Sequence, residues 1–222
     1  MKVELVSITA NAEDLIERAC RTCYLSFNRY DPPKSTAELI RKVIRKGHHS
    51  VLEHASATFR IKGGSRVFTH ELVRHRFVSP SQESQRYVCY ADKPDRKKTK
   101  DFEYQIPETV KKSGSERVFQ DGAEAAYNLY EELLSKGVPP EDARYILPNA
   151  TTSEIVITAN FRELRHLFAV RCQPRAHWEI REVCLQMLTI MKREAPTVFC
   201  DFVIDEQNDC AYVNVQMLQS NK

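Results

Sequence analysis

The feature that most constrains the fold is a mixture of strand and helix patterns without regular βαβ alternation. Residues 55–62 alternate apolar and polar side chains, which is the period of a half-buried strand. Longer stretches at about 116–135 and 177–194 have helical periodicity and end before Gly137 and Pro196. Because strands and long helices mix without a repeating unit, we expect an α+β fold, a single domain whose mixed or antiparallel sheet is packed by long helices.

Shorter patterns predict most of the remaining elements. Strands are predicted at 2–9 and 154–159, and helices at 12–24 and 141–146. A further helix is predicted to begin at the capping-box sequence Ser35-Thr36-Ala37-Glu38 and to end at Gly47.

Three local sequence signals predict where further elements begin and end. Gly63-Gly64-Ser65 predicts a turn into a helix that carries Arg74-His75-Arg76 at its C-terminal end. Pro80 breaks that helix, so residues 79–87 are predicted to form an irregular or extended loop. Asn160, with a glutamate three residues later, predicts another helix start.

Composition and charge describe an ordinary soluble protein. The 222 residues are 42% hydrophobic and 28% charged, enough for a sizeable core. No apolar run reaches the ~20 residues of a membrane helix, and the net charge of +3 is too small to predict bulk nucleic-acid binding. We therefore expect neither a membrane nor a nucleic-acid partner.

Residues 92–116 predict a surface excursion with a short strand around Phe102, Tyr104 and Ile106, and 205–222 form a tail without an assignable motif.

The cysteines predict reduced thiols and a cytoplasmic protein. There are seven of them, an odd number, and they are scattered along the chain. Cys20 and Cys23 form a lone C-x-x-C late in the predicted helix 12–24, at helical spacing with Leu15 and Ile16. Core packing therefore explains this pair better than redox chemistry or a zinc ribbon does.

The densest functional signal is Arg74-His75-Arg76, followed after seven residues by Ser84 and then by Arg86-Tyr87. Arginine presents a planar fork of donors that matches phosphate oxygens in pairs. A solvated helix end explains the first two arginines but not the polar loop that returns to Arg86. The segment therefore predicts a site for phosphorylated ligands.

A second group contains three histidines and a glutamate, His48, His49, Glu53 and His54, which invites a zinc hypothesis. The spacing is not H-E-x-x-H, and adjacent histidines diverge on a helix, so stacking on an aromatic ring or capping the next strand is the better interpretation. A zinc-dependent hydrolase remains one alternative function. A nucleic-acid-binding module that uses the basic 74–86 segment is the other.

Further basic and polar residues are spread over the C-terminal half: Arg144, Asn160, Arg162, Arg165, His166, Arg171, Arg175 and His177. Taken singly, each is explained by helix capping or by an exposed helix face. Their coexistence with the first cluster is what favours a site. The sequence has no Gly-rich nucleotide loop. Ser84 lacks a triad and Cys172 has one basic neighbour, so neither is favoured as a nucleophile.

The arginine motif resembles the R-H-R-x7-S signature of the flavin-dependent thymidylate synthases. Further blocks resemble that family in order and spacing over roughly residues 1–200: Gly47-His48 through Glu53-His54, Arg144-Tyr145-Ile146-Leu147-Pro148, Asn160-Phe161-Arg162 and Arg171 through Trp178-Glu179. The resemblance implies the fold of that family and a homotetramer with active sites between subunits. It also implies reductive methylation of dUMP to dTMP, with FAD as cofactor and NADPH and 5,10-methylenetetrahydrofolate as co-substrates.

The resemblance also implies roles for individual residues. Arg171 would be catalytic, because its fixed charge would stabilise negative charge developing on the pyrimidine. The residues implied to bind FAD are His48, Ser50, Arg74, His75, Arg76, Gln82, Asn160, Arg162 and His166. Those implied to bind dUMP are Glu71, Arg74, Gln82, Glu83, Ser84, Gln85, Arg86, Arg144 and Arg171. No metal ligand is expected.

Two positions depart from the family pattern. Glu71 stands where many relatives have Gln, and a carboxylate accepts a hydrogen bond from a base N–H but repels phosphate. Ser81-Gln82 stands where Asn-Glu is common, which preserves hydrogen bonding but changes the charge near FAD.

Overall fold

The computed structural model describes residues 1–92, 95 and 97–219. In chain order its elements are β1 Lys2–Ile8, α1 Ala12–Tyr24, α2 Lys34–Arg45, β2 Ser56–Ser65, α3 Arg66–Leu72, β3 Ser79–Gln82, α4 Glu108–Lys112, α5 Glu116–Ser135, α6 Pro140–Ala143, β4 Thr152–Asn160, α7 Phe161–Arg171, α8 Trp178–Glu194, β5 Phe202–Asp205 and β6 Cys210–Val213. One sheet has the strand order β1-β2-β4-β3, and β5 and β6 form a second sheet. The sheets are antiparallel, and the predicted α+β class is confirmed.

The residues group into two compact units. The first unit comprises Met1–Ile61, Leu72–Pro80 and Val156–Lys222, and the second comprises Lys62–Glu71 and Ser81–Ile155. The single domain expected from the sequence stays a prediction. None of the helices in the described part of the chain is both long and apolar enough to cross a membrane.

The core of the first unit is built on α7 and α8, which pack against each other. Phe161 and Phe168 of α7 are fully buried and contact the ring of Phe199 at centroid distances of 5.6 and 5.8 Å. Phe202 at the start of β5 joins the cluster edge-on to Phe168. Burial of a phenyl side chain contributes about 1.5–3 kcal/mol, so this cluster fixes the position of α7.

Helix α1 has its predicted bounds, but its buried face differs from the predicted apolar stripe. Ile16 and Cys20 are buried, whereas Leu15 is 37% exposed and Cys23 is also exposed. The stripe includes instead a fully buried carboxylate, Glu17. Core packing therefore holds for one cysteine of the C-x-x-C pair, and the other lies on the surface.

Glu17 also explains why the predicted capping box is wrong. Helix α2 begins at Lys34 without a side-chain cap. Ser35 and Thr36 instead donate their hydroxyl hydrogens to the Glu17 carboxylate, and Arg21 donates to it from 2.7 Å. Burial opposes ionisation, but these hydrogen bonds outweigh it and lower the pKa of Glu17. The predicted end of the helix is confirmed: α2 stops at Arg45, and Gly47 follows with φ +73°.

The turn predicted at Gly63-Gly64-Ser65 is wrong. These residues continue strand β2, and α3 begins at the next residue, Arg66. Gly63 has φ +78°, and a Cβ on Gly64 would lie 2.4 Å from the ring of Phe68. Glycine is needed at both positions, for conformation at the first and for close packing at the second.

The second unit has its own aromatic core beside α5, whose bounds match the prediction. Tyr90, Tyr130 and Leu134 are buried together, and Phe102 and Tyr127 stack at 4.8 Å. The predicted strand near Tyr104 is reduced to one bridge, with Thr151. The predicted surface excursion therefore contributes to the core, although its residues 93, 94 and 96 lie outside the described residues. The helix predicted at 141–146 starts at Pro140, and its last residues, Arg144–Ile146, form a 3-10 turn.

The segment after α8 folds into a hairpin that the sequence did not predict. Phe202 pairs with Val213 and Asp205 with Cys210 across β5 and β6. The Ala211 N–H donates to the Cys172 carbonyl at 2.8 Å, which joins β6 to the end of α7. The predicted tail is thus partly ordered structure, and its residues 220–222 lie outside the described residues.

Candidate functional site

The first unit contains a cleft of about 1020 Å³ whose wall is rich in basic side chains. Seven of the predicted site residues line it: Arg74, His75, Arg76, Asn160, Arg162, His166 and Arg171. His48 and Ser50 belong to the same unit and are exposed, but they do not line the cleft. The sequence therefore identified most of the basic residues in this wall.

The arginine triplet lies in turns that follow α3, not within a helix as predicted. Helix α3 ends at Leu72, the His75 N–H donates to the Leu72 carbonyl, and the Val78 N–H donates to the His75 carbonyl. Leu72 and Val78 are buried and anchor this short segment at both ends. Arg74 and Arg76 are left exposed. Among the described residues, neither of these arginines has an ion-pair or hydrogen-bond partner.

Helix α7 and its N-cap supply further polar and basic residues of the cleft wall. Its predicted start is confirmed, because the Asn160 side chain accepts a hydrogen bond from the Glu163 N–H at 2.9 Å. Arg162 and His166 are one helical turn apart, and both are exposed on the face away from buried Phe161. The amphipathic pattern of α7 therefore turns these two side chains toward the cleft.

Two of the cleft arginines are paired with carboxylates. Arg162 forms an exposed ion pair with Glu53. Arg165 is buried, donates two 2.7 Å hydrogen bonds to Asp201, and lies 5.0 Å from the Phe202 ring centroid. The first pair is solvent-screened and weak, whereas the second is a buried structural pair. The positive charge that remains available to a ligand is therefore smaller than the number of arginines in the cleft suggests.

His75 is the most perturbed group in the cleft. It is buried, its Nε2 accepts a hydrogen bond from Arg171 Nε at 2.9 Å, and its ring lies 6.1 Å from that of His166. Burial, and then the charges of Arg171 and His166, lower the pKa of His75 to about 4. Nearby, burial raises the pKa of Glu163, and the charge of His166 acts in the opposite direction. The imidazole is therefore neutral at pH 7.

The sequence did not assign several residues of this cleft to a site. These residues are Phe77, Glu163, Ala169, Phe202 and Val213, and Arg165 was named as a basic residue without a ligand role. Phe77 directly follows the arginine triplet, and Glu163 stood out only as a helix-start signal. Phe202 and Val213 reach the cleft through the C-terminal hairpin, for which no local pattern was recognised. His49 and Glu53, considered as zinc ligands, line the cleft as well. Within the described residues, no group of three or more His, Cys, Asp or Glu side chains is arranged to hold a metal ion.

The other seven predicted residues belong to the second unit: Glu71, Gln82, Glu83, Ser84, Gln85, Arg86 and Arg144. Gln82 and Glu83 are held by internal hydrogen bonds. Gln82 Nε2 donates to the hydroxyls of Thr69 and Ser153 at 3.1 Å each. The Glu83 carboxylate accepts from Tyr90 at 2.9 Å and from Lys100 at 3.0 Å.

Ser84 and Arg86 are both accessible to solvent. Ser84 is half-buried, Arg86 is exposed, and the Arg86 guanidinium lies 5.6 Å from the ring centroid of Tyr87. Gln85 is buried and donates to the Tyr90 hydroxyl at 3.4 Å. Arg144 lies in the 3-10 turn after α6, where its Nε donates to a backbone carbonyl. The segment therefore presents one hydroxyl and one guanidinium on a framework of internal hydrogen bonds.

Comparison with known proteins agrees with this geometry. The family model described as "Thymidylate synthase complementing protein" matches residues 4–197. A flavin-dependent thymidylate synthase of Geobacter sulfurreducens is 41% identical over 90% of this chain and 86% of its own length. The enzymes of that name from Pyrococcus abyssi (41% identical, over 87% of this chain and 80% of the relative) and Clostridium tetani (35%, 90% and 85%) are similar as well. The chain therefore belongs to the family of flavin-dependent thymidylate synthases.

Proposed function

We propose that this protein catalyses the reductive methylation of dUMP to dTMP. In this reaction 5,10-methylenetetrahydrofolate donates the carbon, and FAD that has been reduced by NADPH donates the hydride. The proposal depends on one observation. In this chain, which belongs to the family, guanidinium and imidazole side chains line the same cleft. All of these ligands are anionic, so such a wall suits them. The alternative of a nucleic-acid-binding module is not supported by the relatives, which are named as enzymes.

The donor set of the cleft fits FAD. Arg74 and Arg76 are exposed, without partners in the described part of the chain, and suit a pyrophosphate. Asn160, Arg162 and His166 add amide, guanidinium and imidazole donors on the α7 side. Bound FAD would supply hydride chemistry that no side chain can perform. We include His48, Ser50, His75 and Gln82 in the proposed FAD set.

Arg171 would act on the nucleotide base through its permanent charge. Arginine stays protonated throughout the physiological range, so it cannot serve as a proton donor or acceptor. Its hydrogen bond to His75 holds the guanidinium in place, and a fixed positive charge stabilises negative charge that develops on a pyrimidine carbonyl. Ordered charge of this kind typically contributes about 3–4 kcal/mol to a transition state.

Ser84 and Arg86 would bind the dUMP phosphate. A hydroxyl and a guanidinium two residues apart can donate to the same phosphate. Glu83 and Gln85 would hold that segment in position through Tyr90. Glu71, Arg74, Gln82 and Arg144 complete the proposed dUMP set.

Assembly and location are also part of the proposal. We propose a homotetramer with active sites between subunits, which the family resemblance implies. We also propose a cytoplasmic location, and the absence of a disulfide among the seven cysteines supports it.

The test begins with a visible spectrum of the purified protein. We expect a yellow protein that releases FAD on denaturation, loses its colour with NADPH, and makes dTMP when dUMP and methylenetetrahydrofolate are added.

Arg171→Ala should abolish dTMP formation while FAD binding survives, and Arg86→Ala should weaken dUMP binding far more than FAD binding. Arg117→Ala, which removes an exposed arginine paired with Asp121, is the matched control and should leave both unchanged. A colourless protein, or full turnover by Arg171→Ala, would contradict the proposal.

A further inference from the structure

Three side chains form a line through the cleft wall: Glu163, His75 and Arg171. Arg171 Nε donates to His75 Nε2 at 2.9 Å, and His75 Nδ1 lies 3.6 Å from Glu163 Oε1. Glu163 is 8% exposed and His75 is 9% exposed. The residues come from two elements that are distant in sequence, the turn after α3 and helix α7, so the line is a product of the fold.

The hydrogen bond from Arg171 is compatible with only one protonation state of His75. A guanidinium has only donors, so Nε2 can accept its hydrogen bond only if that nitrogen carries no proton. The imidazole must then be neutral, with its hydrogen on Nδ1. Nδ1 lies 3.6 Å from Glu163 Oε1, just beyond hydrogen-bond distance. The opposite tautomer would place two donors against each other at the Arg171 contact.

Glu163 has no other evident use for its carboxylate. It is the third residue of α7, where a capping-box glutamate would bond back to the N-cap backbone. The Asn160 side chain does cap the Glu163 N–H. In the described part of the chain, however, the Glu163 carboxylate makes no hydrogen bond; His75 Nδ1 lies 3.6 Å from it, and the charge of His166 also acts on it. A buried carboxylate is costly, so its placement against an imidazole calls for a reason other than helix capping.

We propose that Glu163 is a positioning residue that holds His75 in the Nδ1–H tautomer, through which the Arg171 guanidinium is fixed for action on the nucleotide. This inference rests on the proposed function for the role of Arg171, and it extends that function to two residues that act through another. His75 then works from inside the wall, since its Nε2 accepts from Arg171 and its Nδ1 lies 3.6 Å from the Glu163 carboxylate. The same logic orients metal-ligating histidines, whose second nitrogen is held by a carboxylate.

The first test measures the tautomer and does not depend on turnover. Nitrogen NMR of protein with 15N-labelled histidine distinguishes Nδ1–H from Nε2–H, and comparison with His75→Gln assigns the His75 signals. We expect the wild type to show the Nδ1–H form, Glu163→Ala to show a mixture or the Nε2–H form, and Glu163→Gln to keep the wild-type form, because an amide oxygen still accepts from Nδ1–H. An unchanged tautomer in Glu163→Ala overturns the inference even if the protein is an active synthase.

The second test is kinetic and uses the FAD-loaded protein. Glu163→Ala should lower kcat for dTMP formation by about 10- to 100-fold while FAD content and the KM for dUMP change little, and Glu163→Gln should recover much of the loss. Glu17→Gln is the matched control, because it alters a buried glutamate of the same unit that faces Arg21, and it should leave kcat unchanged. A loss of kcat in Glu163→Gln equal to that in Glu163→Ala would overturn the inference. If the wild type makes no dTMP, the proposed function fails, and the tautomer measurement still decides the inference.

Discussion

Replacing His75 with Gln should flatten the dependence of stability on pH between 5 and 7. Burial, and then the charges of Arg171 and His166, lower the pKa of His75 to about 4 in the folded protein. In the unfolded chain a histidine titrates with a pKa of about 6.5. Because the unfolded state binds a proton that the folded state excludes, unfolding is favoured as the pH falls. The stability associated with neutral His75 is thus present above about pH 6.5 and is lost as the pH falls toward about 4.

The size of the effect follows from these two pKa values. Between pH 7 and pH 5 the unfolded imidazole becomes almost fully protonated, whereas the folded imidazole stays mainly neutral. Linkage then lowers the free energy of unfolding by about 2 kcal/mol over this range. His75 is only 9% exposed, so solvent screening reduces this figure little. Gln keeps an acceptor for Arg171 and cannot titrate, so the variant lacks this pH-dependent contribution.

The assay is urea unfolding at pH 5, 6 and 7, followed at one fixed protein concentration because association shifts apparent stability. The quantity compared is the change in the free energy of unfolding between pH 7 and pH 5. The other titratable groups are present in both proteins, so their contributions cancel to first order. His70→Gln, which removes an exposed histidine, is the control and should keep the wild-type pH dependence. Equal pH dependence in wild type and His75→Gln would refute the neutral-acceptor argument.

Three further predictions concern stability and can be checked by urea or thermal unfolding. Gly64→Ala should cost about 1–3 kcal/mol, because its Cβ would lie 2.4 Å from the ring of the phenylalanine four residues on, whereas Gly122→Ala has open space and should stabilise α5 by up to about 1 kcal/mol. Arg165→Met should cost about 3–5 kcal/mol because it leaves the Asp201 carboxylate buried and unpaired, and adding Asp201→Leu should restore part of the loss. Asn160→Ala should cost about 1 kcal/mol and Asn160→Asp much less, since only the first removes the cap. A loss in Asn160→Asp as large as in Asn160→Ala would contradict that account.

The elements that the sequence predicted well are those whose signals are local. Helices α1 and α5 have their predicted bounds because periodicity and breaking residues lie within the segments themselves. The Asn160 cap was also predictable, since the donor it satisfies is only three residues away. The α+β class followed from the order of such local patterns.

The errors arose where a distant partner decides the local structure. Ser35 reads as a helix cap, but the buried Glu17 carboxylate competes for its hydroxyl. Gly63-Gly64-Ser65 reads as a turn, but strand pairing and the Phe68 ring keep these residues in β2. The C-terminal hairpin depends on pairing across a short loop and on a contact with Cys172. Glu17 and Cys172 lie far along the chain from the segments that they contact, and a sequence window does not show which strands pair.

The prediction of the candidate site has the same strength and the same weakness: local spacing found the motif residues, but it did not show which of them contact distant residues. Motif spacing identified Arg74, His75 and Arg76, yet it counted them as equal donors toward a ligand. In the folded protein the first and third are exposed, whereas the second is buried and accepts a hydrogen bond from a residue 96 positions away. A protonated imidazole there would add a like charge beside a guanidinium and break that bond, so a low pKa is a requirement of the arrangement. The triplet thus combines two different environments: the two arginines are exposed to solvent, and the buried histidine between them accepts a hydrogen bond from Arg171 by remaining uncharged itself.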